Sequence, residues 1–197
     1  MGAAKSEGED HVIRLDVPIE IWKTPAGQQL RTAFGDGAEI ERLARQALQT
    51  ICRLDDIDVR FELGLELISD TRMQAINRAE RNKDTPTDVL SFPQIAFPPD
   101  GTQDFSKRSE LKDILNEFPP LPGPEDALYY QLGDILISVE TCAKQAHSIG
   151  HSMADEFRRL LVHGLLHLFG YDHAVSAELE RRMQRREDAV LDCISGS

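Results

Sequence analysis

The segment 163–173 constrains this chain more than any other, because its spacing predicts a helix, a left-handed turn and a third ligand in close succession. His163 and His167 are four residues apart in a helical run, so both imidazoles leave one helix face about one turn apart. Gly170 can take the left-handed conformation that ends a helix, and His173 follows three residues later. Three nitrogen donors with an open fourth position are typical of a catalytic zinc rather than a structural one.

The same histidine spacing occurs in the metzincin proteases, whose first histidine is followed by a general-base glutamate. Here that position is Gly164, so a peptidase would need another carboxylate to deprotonate its water. We therefore predict the metal site and disfavour peptidase chemistry. His11 has no such support, and we expect His147 and His151 to be surface residues because Gly150 breaks the helix between them.

Length and composition are those of one domain with its own core, since the chain has 197 residues of which 41% are hydrophobic. We expect a flexible N-terminus at 1–11, one domain at 12–192 and a short tail at 193–197. The three cysteines show no CxxC spacing, which argues against a disulfide framework and a thiolate zinc site. No run approaches the ~20 apolar residues of a membrane helix, so we expect a cytoplasmic protein with no membrane partner.

Alternating and helical periodicities interleave along the chain and predict an α+β fold. We expect a single domain with a mixed β-sheet of about four strands packed with helices, and a metal site on a C-terminal-half helix and the loop after it. The predicted strands are 12–22, 57–68, 87–92 and 132–137. The predicted helices are 37–51, a helix capped by Asp70 and ending near Asn82, 138–150, 153–169 and 176–191. Residues 94–130 are proline-rich and are predicted to be an insertion with one helix at 109–118.

Beyond these patterns, the segment 163–173 resembles the signature of the YbeY family of zinc-dependent, single-strand-specific endoribonucleases. A second block, from Asn77 through Arg81 to Pro93, and a third, Leu132-Gly133-Asp134-Ile135, also resemble that family. The resemblance covers residues 12–93 and 130–192. Asn82 departs from the pattern, because the family commonly has glycine there.

The resemblance implies one Zn²⁺ per chain, held by His163, His167 and His173, and a catalytic role for Arg81. A guanidinium offers fixed planar donors to phosphate oxygens, which agrees with that role. Asp172 adjoins His173 and is a candidate for orienting that imidazole, although helix capping or solvent exposure explains it equally well. Thr87, Asp88 and Ser91 suit either the site or ordinary turn formation.

By the same resemblance, the chain would hydrolyse RNA phosphodiesters in ribosomal RNA maturation, at the 3′ end of 16S rRNA, and in ribosome quality control. Its partners would be single-stranded RNA, the small ribosomal subunit and associated assembly proteins, and DNA is not expected. The alternatives are a metzincin-like metallopeptidase and a non-catalytic, zinc-stabilised ribosome-assembly factor. An assay of the purified protein with casein and with single-stranded RNA would separate the peptidase from the nuclease. The number of protein ligands on the zinc would separate a catalytic site from a structural one.

Taken alone, the net charge of −12 argues against a protein that binds nucleic acid. Divided along the chain, however, only the segment 71–93 is not negative, with four basic residues against three acidic ones. Four further arginines, at 181, 182, 185 and 186, are explained more simply as a solvated helix face. We expect a small basic surface near the metal and weak, salt-sensitive affinity for free RNA.

Overall fold

The computed structural model describes residues 11–97, 108–171 and 176–195. It confirms an α+β domain built on a mixed sheet. The strands are β1 (Val12–Asp16), β2 (Phe61–Ile68), β3 (Val89–Pro93), β4 (Leu121–Pro122) and β5 (Leu128–Ser138). The helices are α1 (Pro25–Phe34), α2 (Gly37–Leu54), α3 (Asp70–Arg81), α4 (Arg108–Leu115), α5 (Val139–Ile149), α6 (Met153–Leu168) and α7 (Ala177–Ser195).

The four longer strands are ordered β1-β2-β5-β3, and β4 pairs with the beginning of β5. β1, β2 and β5 are mutually parallel, whereas β3 runs antiparallel to β5 and forms one edge. Leu65 pairs with Ile135, which pairs with Ser91 of that edge strand. Because side chains alternate across a sheet, this row faces the same side, where α6 packs.

The main core lies between that sheet face and the helices, with α6 at its centre. α6 contacts β3 and β5 as well as α1, α2, α5 and α7. Phe157, Leu161 and Leu165 of this helix are fully buried. A smaller cluster on the other sheet face joins Met73 of α3 to Leu90 and neighbouring strand residues. The candidate histidines therefore sit on the helix that the rest of the fold surrounds.

Serine side chains cap the three helices that bear on the site. Ser69, Ser138 and Ser152 accept hydrogen bonds from backbone N–H groups in the first turns of α3, α5 and α6, at 3.1 to 3.4 Å. The prediction that Asp70 caps α3 is wrong, because Ser69 does so. Asp70 is the first helical residue instead, and its carboxylate reaches α5.

The first predicted strand is too long, and one helix is missing from the prediction. β1 ends at Asp16, after which Ile21 N–H donates to the carbonyl of Pro18 at 2.9 Å and a short 3₁₀ helix follows. The side chain of Ile21 is buried through this turn rather than through strand alternation. α1 then starts at Pro25, the helix position that proline tolerates best, with Thr24 as its N-cap.

The described part of the predicted insertion is anchored to the core. Leu111 and Leu115 of α4 are buried in the main cluster. β5 begins at Leu128, four residues before the predicted strand, and its pairing with β2 shifts register before Gly133, which has a φ of 143°. That irregularity interrupts the alternation on which the sequence prediction depended.

Candidate metal centre

The structure brings His163 and His167 together on one face of α6. Their Nε2 atoms are 3.1 Å apart, and the ring centroids are 4.6 Å apart. Both side chains are half-buried, whereas the residues around them on α6 are buried. The two imidazoles therefore converge at the edge of the core with their Nε2 atoms facing each other.

This pair fits two ligands of a single zinc ion. In a tetrahedral site with Zn–N bonds of about 2.0–2.1 Å, two ligand nitrogens lie about 3.3 Å apart. The observed Nε2 separation of 3.1 Å is close to that value. Among residues 11–97, 108–171 and 176–195, no group of three or more metal-ligating side chains occurs.

The predicted third ligand, His173, and its neighbour Asp172 lie outside the described residues. The turn that leads to them is described. Gly170 has a φ of 78°, the left-handed conformation expected at the end of α6. The prediction that glycine ends this helix is therefore confirmed, while the roles of His173 and Asp172 stay predictions.

Tyr171 holds this turn against the two long helices. Its buried hydroxyl donates to Asp55 at the end of α2, at 3.1 Å, and Arg186 of α7 pairs with the same carboxylate at 2.6 Å. The guanidinium of Arg182 lies 5.7 Å from the centre of the Tyr171 ring. Burial raises the pKa of Asp55, and Arg186 and Tyr171 oppose that shift. The turn at Gly170 and Tyr171 is thus fixed by charge and hydrogen bonding.

Glu187 of α7 is a site residue that the sequence analysis missed. Its Oε1 atom is 2.5 Å from Nδ1 of His163. A carboxylate at this distance accepts from Nδ1–H of a neutral ring and leaves the lone pair on Nε2, the nitrogen that faces His167. Glu187 is separated from His163 by 24 residues. The available signal was its place on the apolar face of α7, beside Met183 and Val190.

Gly164 is buried against the sheet. A Cβ at this position would lie 3.0 Å from Cγ2 of Ile135 and 3.2 Å from Cγ2 of Val89. The hydroxyl of Ser91 donates to the Gly164 carbonyl at 3.0 Å, which ties β3 to α6. The position that holds the general base of metzincins points into packed side chains here, and this disfavours the peptidase alternative.

Arg81 is the last residue of α3, and its side chain is exposed. The next residue, Asn82, has a φ of 56° in the left-handed region. Asparagine tolerates that conformation better than most residues and glycine adopts it freely, so the departure from the family pattern preserves the turn. The side chain of Asn77 donates to the carbonyl of Thr85 at 2.8 Å and folds the following loop back onto α3.

This loop ends beside α6, one helical turn before His163. Asp88 accepts hydrogen bonds from Val89 N–H at 2.9 Å and from the side chain of Gln145 at 3.0 Å. Its Oδ2 atom is 3.9 Å from Arg159, which makes hydrogen bonds to the fully buried Glu156 at 3.1 Å through Nε. Burial raises the pKa of Asp88, but these hydrogen bonds outweigh it and lower that pKa. Asp88 and Ser91 thus link the loop and β3 to α6.

The other three histidines take no part in this site. His11 is buried, and its Nδ1 accepts a hydrogen bond from Phe61 N–H at 3.1 Å. His147 and His151 are exposed, as predicted, and Gly150 between them is left-handed with a φ of 80°.

The opposite sheet face carries an acidic groove of about 390 Å³. Asp16, Glu66 and Asp134 line it, and Arg14 is the basic residue among its lining side chains. Burial raises the pKa of Glu66, Asp16 and Asp134 add to that shift, and Arg72 opposes it. A phosphate group would meet like charges in this groove.

No helix in the described part of the chain combines the length and apolar composition that a membrane crossing requires.

Comparison with known proteins relates this chain to one family. A model of the family described as Endoribonuclease YbeY matches residues 28–195. A protein named Endoribonuclease YbeY from Leptospira interrogans is 44% identical over 140 residues, which are 71% of this chain and 91% of that protein. Relatives of the same name from Halalkalibacterium halodurans and Aquifex aeolicus are 36% and 34% identical, over 77% and 80% of this chain and 84% and 83% of their own lengths.

Proposed function

The chain belongs to the YbeY family of endoribonucleases, and from that premise we propose that it is a zinc-dependent endoribonuclease that cleaves single-stranded RNA. The observation that carries the proposal is the convergence of His163 and His167, whose Nε2 atoms are 3.1 Å apart. We place its work in the cytoplasm, in maturation of the 16S rRNA 3′ end and ribosome quality control. Its partners would be ribosomal RNA, the small subunit and assembly proteins.

His163 and His167 would hold one zinc ion through Nε2, with His173 as the third ligand. When bound, the ion would supply a Lewis acid that polarises a phosphate oxygen or activates water. Glu187 holds Nδ1 of His163 in a hydrogen bond, and the contact with Asp55 fixes Tyr171, two residues before His173 in the sequence. The protein thereby supplies nitrogen donors in fixed positions before substrate arrives.

Arg81 would bind the phosphate that is cut. Negative charge grows on the phosphate oxygens during displacement, and a planar guanidinium stabilises it through fixed donors. The exposed position of Arg81 leaves it accessible to RNA, and its loop leads to Asp88 beside α6. This course of the chain supports the assignment of Arg81 to the same site as the histidines.

Alanine variants test these roles separately. We expect His163→Ala and His167→Ala to lose zinc and cleavage of a single-stranded oligoribonucleotide together. Arg81→Ala should keep its zinc and lose about 10²–10³-fold in cleavage rate, as removal of a preorganised donor does. Arg78→Ala is the matched control, because Arg78 is also exposed on α3 and its ion pair with Asp84 is long, at 4.0 Å.

Zinc content would be measured by elemental analysis, and cleavage by gel electrophoresis of end-labelled RNA, with duplex RNA and casein as alternative substrates. Zinc-loaded wild-type protein that cleaves no RNA would favour the assembly-factor alternative. Cleavage of casein would favour the peptidase. An RNA cleavage rate that survives loss of the histidines would refute the metal assignment.

A further inference from the structure

Glu187 is a buried acid on a helix face that is otherwise apolar. The buried residues of α7 are Met183, Glu187, Val190 and Ile194. The Glu187 side chain is only 9% exposed. Removing a carboxylate from water is energetically costly unless a partner compensates for it. A buried carboxylate therefore needs a partner, and here that partner is His163 at 2.5 Å.

The contact selects one form of the His163 ring. A neutral imidazole carries its proton on either nitrogen, and the hydrogen bond made by one nitrogen decides which. Glu187 accepts from Nδ1–H, so the lone pair is on Nε2, the atom that is 3.1 Å from Nε2 of His167. The carboxylate also makes the imidazole a more basic ligand.

The position of the acid is itself fixed by packing. α7 packs against both α2 and α6. Met183 and Val190, one turn on either side of Glu187, are buried in the main core. Arg159, one turn before His163, also interacts electrostatically with Glu187; its pKa is raised chiefly by the hydrogen bonds to Glu156. The acid therefore reaches His163 from a helix that cannot shift without disturbing the core.

We propose that Glu187 is a positioning residue that holds His163 in its Nδ1–H form, with Nε2 directed to the metal, and thereby increases zinc affinity. This inference rests on the proposed zinc-dependent function. It assigns to α7, which carries none of the predicted ligands, a direct part in the metal centre. Glu187 acts through His163 and is given no contact with RNA.

Two substitutions separate the charge from the hydrogen bond. Glu187→Gln keeps an acceptor for Nδ1–H but removes the charge, whereas Glu187→Met removes both and suits the apolar face. Loss of such a supporting carboxylate weakens metal affinity by about 10–100-fold. We expect about 10-fold for Glu187→Gln and about 100-fold for Glu187→Met. Glu180→Gln, at an exposed position on the same helix, should bind zinc as the wild type does.

Zinc affinity would be measured by competition with a chromophoric chelator. The proton position on His163 would be measured from its imidazole ¹⁵N shifts in the metal-free protein, at a pH where those shifts show a neutral ring. The wild type should carry the proton on Nδ1, and Glu187→Met should move it toward Nε2. Urea unfolding of each metal-free variant shows whether it is folded, and Glu187→Gln keeps the test valid if Glu187→Met is not.

A wild-type His163 with its proton on Nε2, or wild-type zinc affinity in Glu187→Gln, would overturn the inference. If the wild-type protein bound no zinc, the proposed function would fail together with the effect of Glu187 on affinity. The proton position on His163 distinguishes the two failures, because it is measured without metal and reports on the Glu187 contact alone.

Discussion

Gly164 affects the site because it has no side chain. α6 packs so closely on the sheet here that an added Cβ would lie 3.0 Å from Ile135 and 3.2 Å from Val89. The same closeness leaves no room for the glutamate that metzincins carry after their first histidine. Glycine at this position therefore lets α6 pack closely on the sheet, and it supplies no side chain that could act as the metzincin base.

Gly164→Ala should destabilise the protein by about 1 kcal/mol. Overpacking costs about 1–3 kcal/mol, and the better helix propensity of alanine returns about 1 kcal/mol of it. Urea unfolding of the metal-free protein measures the difference. Ser148→Ala, at an exposed position on α5, is the control and should stay within about 0.5 kcal/mol of the wild type. A stabilised Gly164→Ala variant would show that the contact is not tight.

Residue patterns predicted the histidine pair but not the acid behind it. His163 and His167 are four positions apart, so helix geometry alone places them together. Glu187 meets His163 only because α7 packs on α6, and no local spacing encodes that contact. The sequence likewise left Asp88 undecided between a turn and the site. Only the structure shows that its carboxylate contacts Gln145 of α5 and Arg159 of α6.

At the scale of elements, helix starts were more predictable than strand ends. The caps of α2, α5 and α6 depend on one side chain and the next few backbone N–H groups, so a local sequence is sufficient. β1 ends where its partner strand no longer pairs with it, which local alternation does not reveal. α1 buries only a narrow face of Ala26, Gly27, Leu30 and Phe34, too little for its periodicity to stand out.

Asp70 joins the start of α3 to the start of α5 through a set of hydrogen bonds that we call the Asp70 clasp. It accepts hydrogen bonds from Thr141 at 2.6 Å, Ser138 at 2.5 Å and Lys144 at 2.5 Å. Burial raises the pKa of Asp70, but the hydrogen bonds from Lys144, Ser138 and Thr141 outweigh it and lower that pKa below its ordinary value. The clasp therefore depends on the ionised carboxylate.

Asp70→Asn should cost about 1.5–3 kcal/mol of unfolding free energy at pH 7, the usual range for hydrogen bonds to a charged group. The folded pKa lies below the unfolded value of about 3.9, so the stabilisation is complete above that pH and is lost as pH falls through the folded pKa. Urea unfolding of wild type and variant at pH 7 and at steps below pH 4 should show the difference shrinking.

Asp188→Asn, on the exposed face of α7, is the control and should change stability little at any pH. A cost of Asp70→Asn that stayed constant through the acid range would mean that the ionised carboxylate is not what the clasp requires.

For the whole molecule, charge distribution matters more than net charge. The chain carries −12, yet the segment 71–93, which contains Arg81, is not negative. The groove with Asp16, Glu66 and Asp134 lies on the sheet face against which α3 of this segment packs. Arg72 pairs with Glu66 at 2.6 Å, so few cations of this segment remain for phosphate. An RNA that reaches the histidines therefore meets a small cationic surface on an anionic protein.

Free RNA should bind weakly and with a shallow salt dependence. With about three phosphate contacts, log K for a single strand falls with log salt at a slope near −2, or about 15-fold between 50 and 200 mM salt. Fluorescence anisotropy of a labelled oligoribonucleotide with metal-free protein measures the slope. Arg81→Ala should make the slope shallower by about one contact, and Arg31→Ala, at an exposed position on α1 outside the segment 71–93, should leave it nearly unchanged. A slope steeper than −5 would contradict a small cationic surface.

The sequence by itself determined the α+β class, most helix starts and the pairing of His163 with His167, because each depends on neighbours within a turn or two of chain. Only the tertiary structure shows where β1 ends, that close packing leaves no room for a side chain at position 164, and which acid contacts His163. Those features arise where strands and helices distant in the sequence meet, and the energy of packing there outweighs local preference.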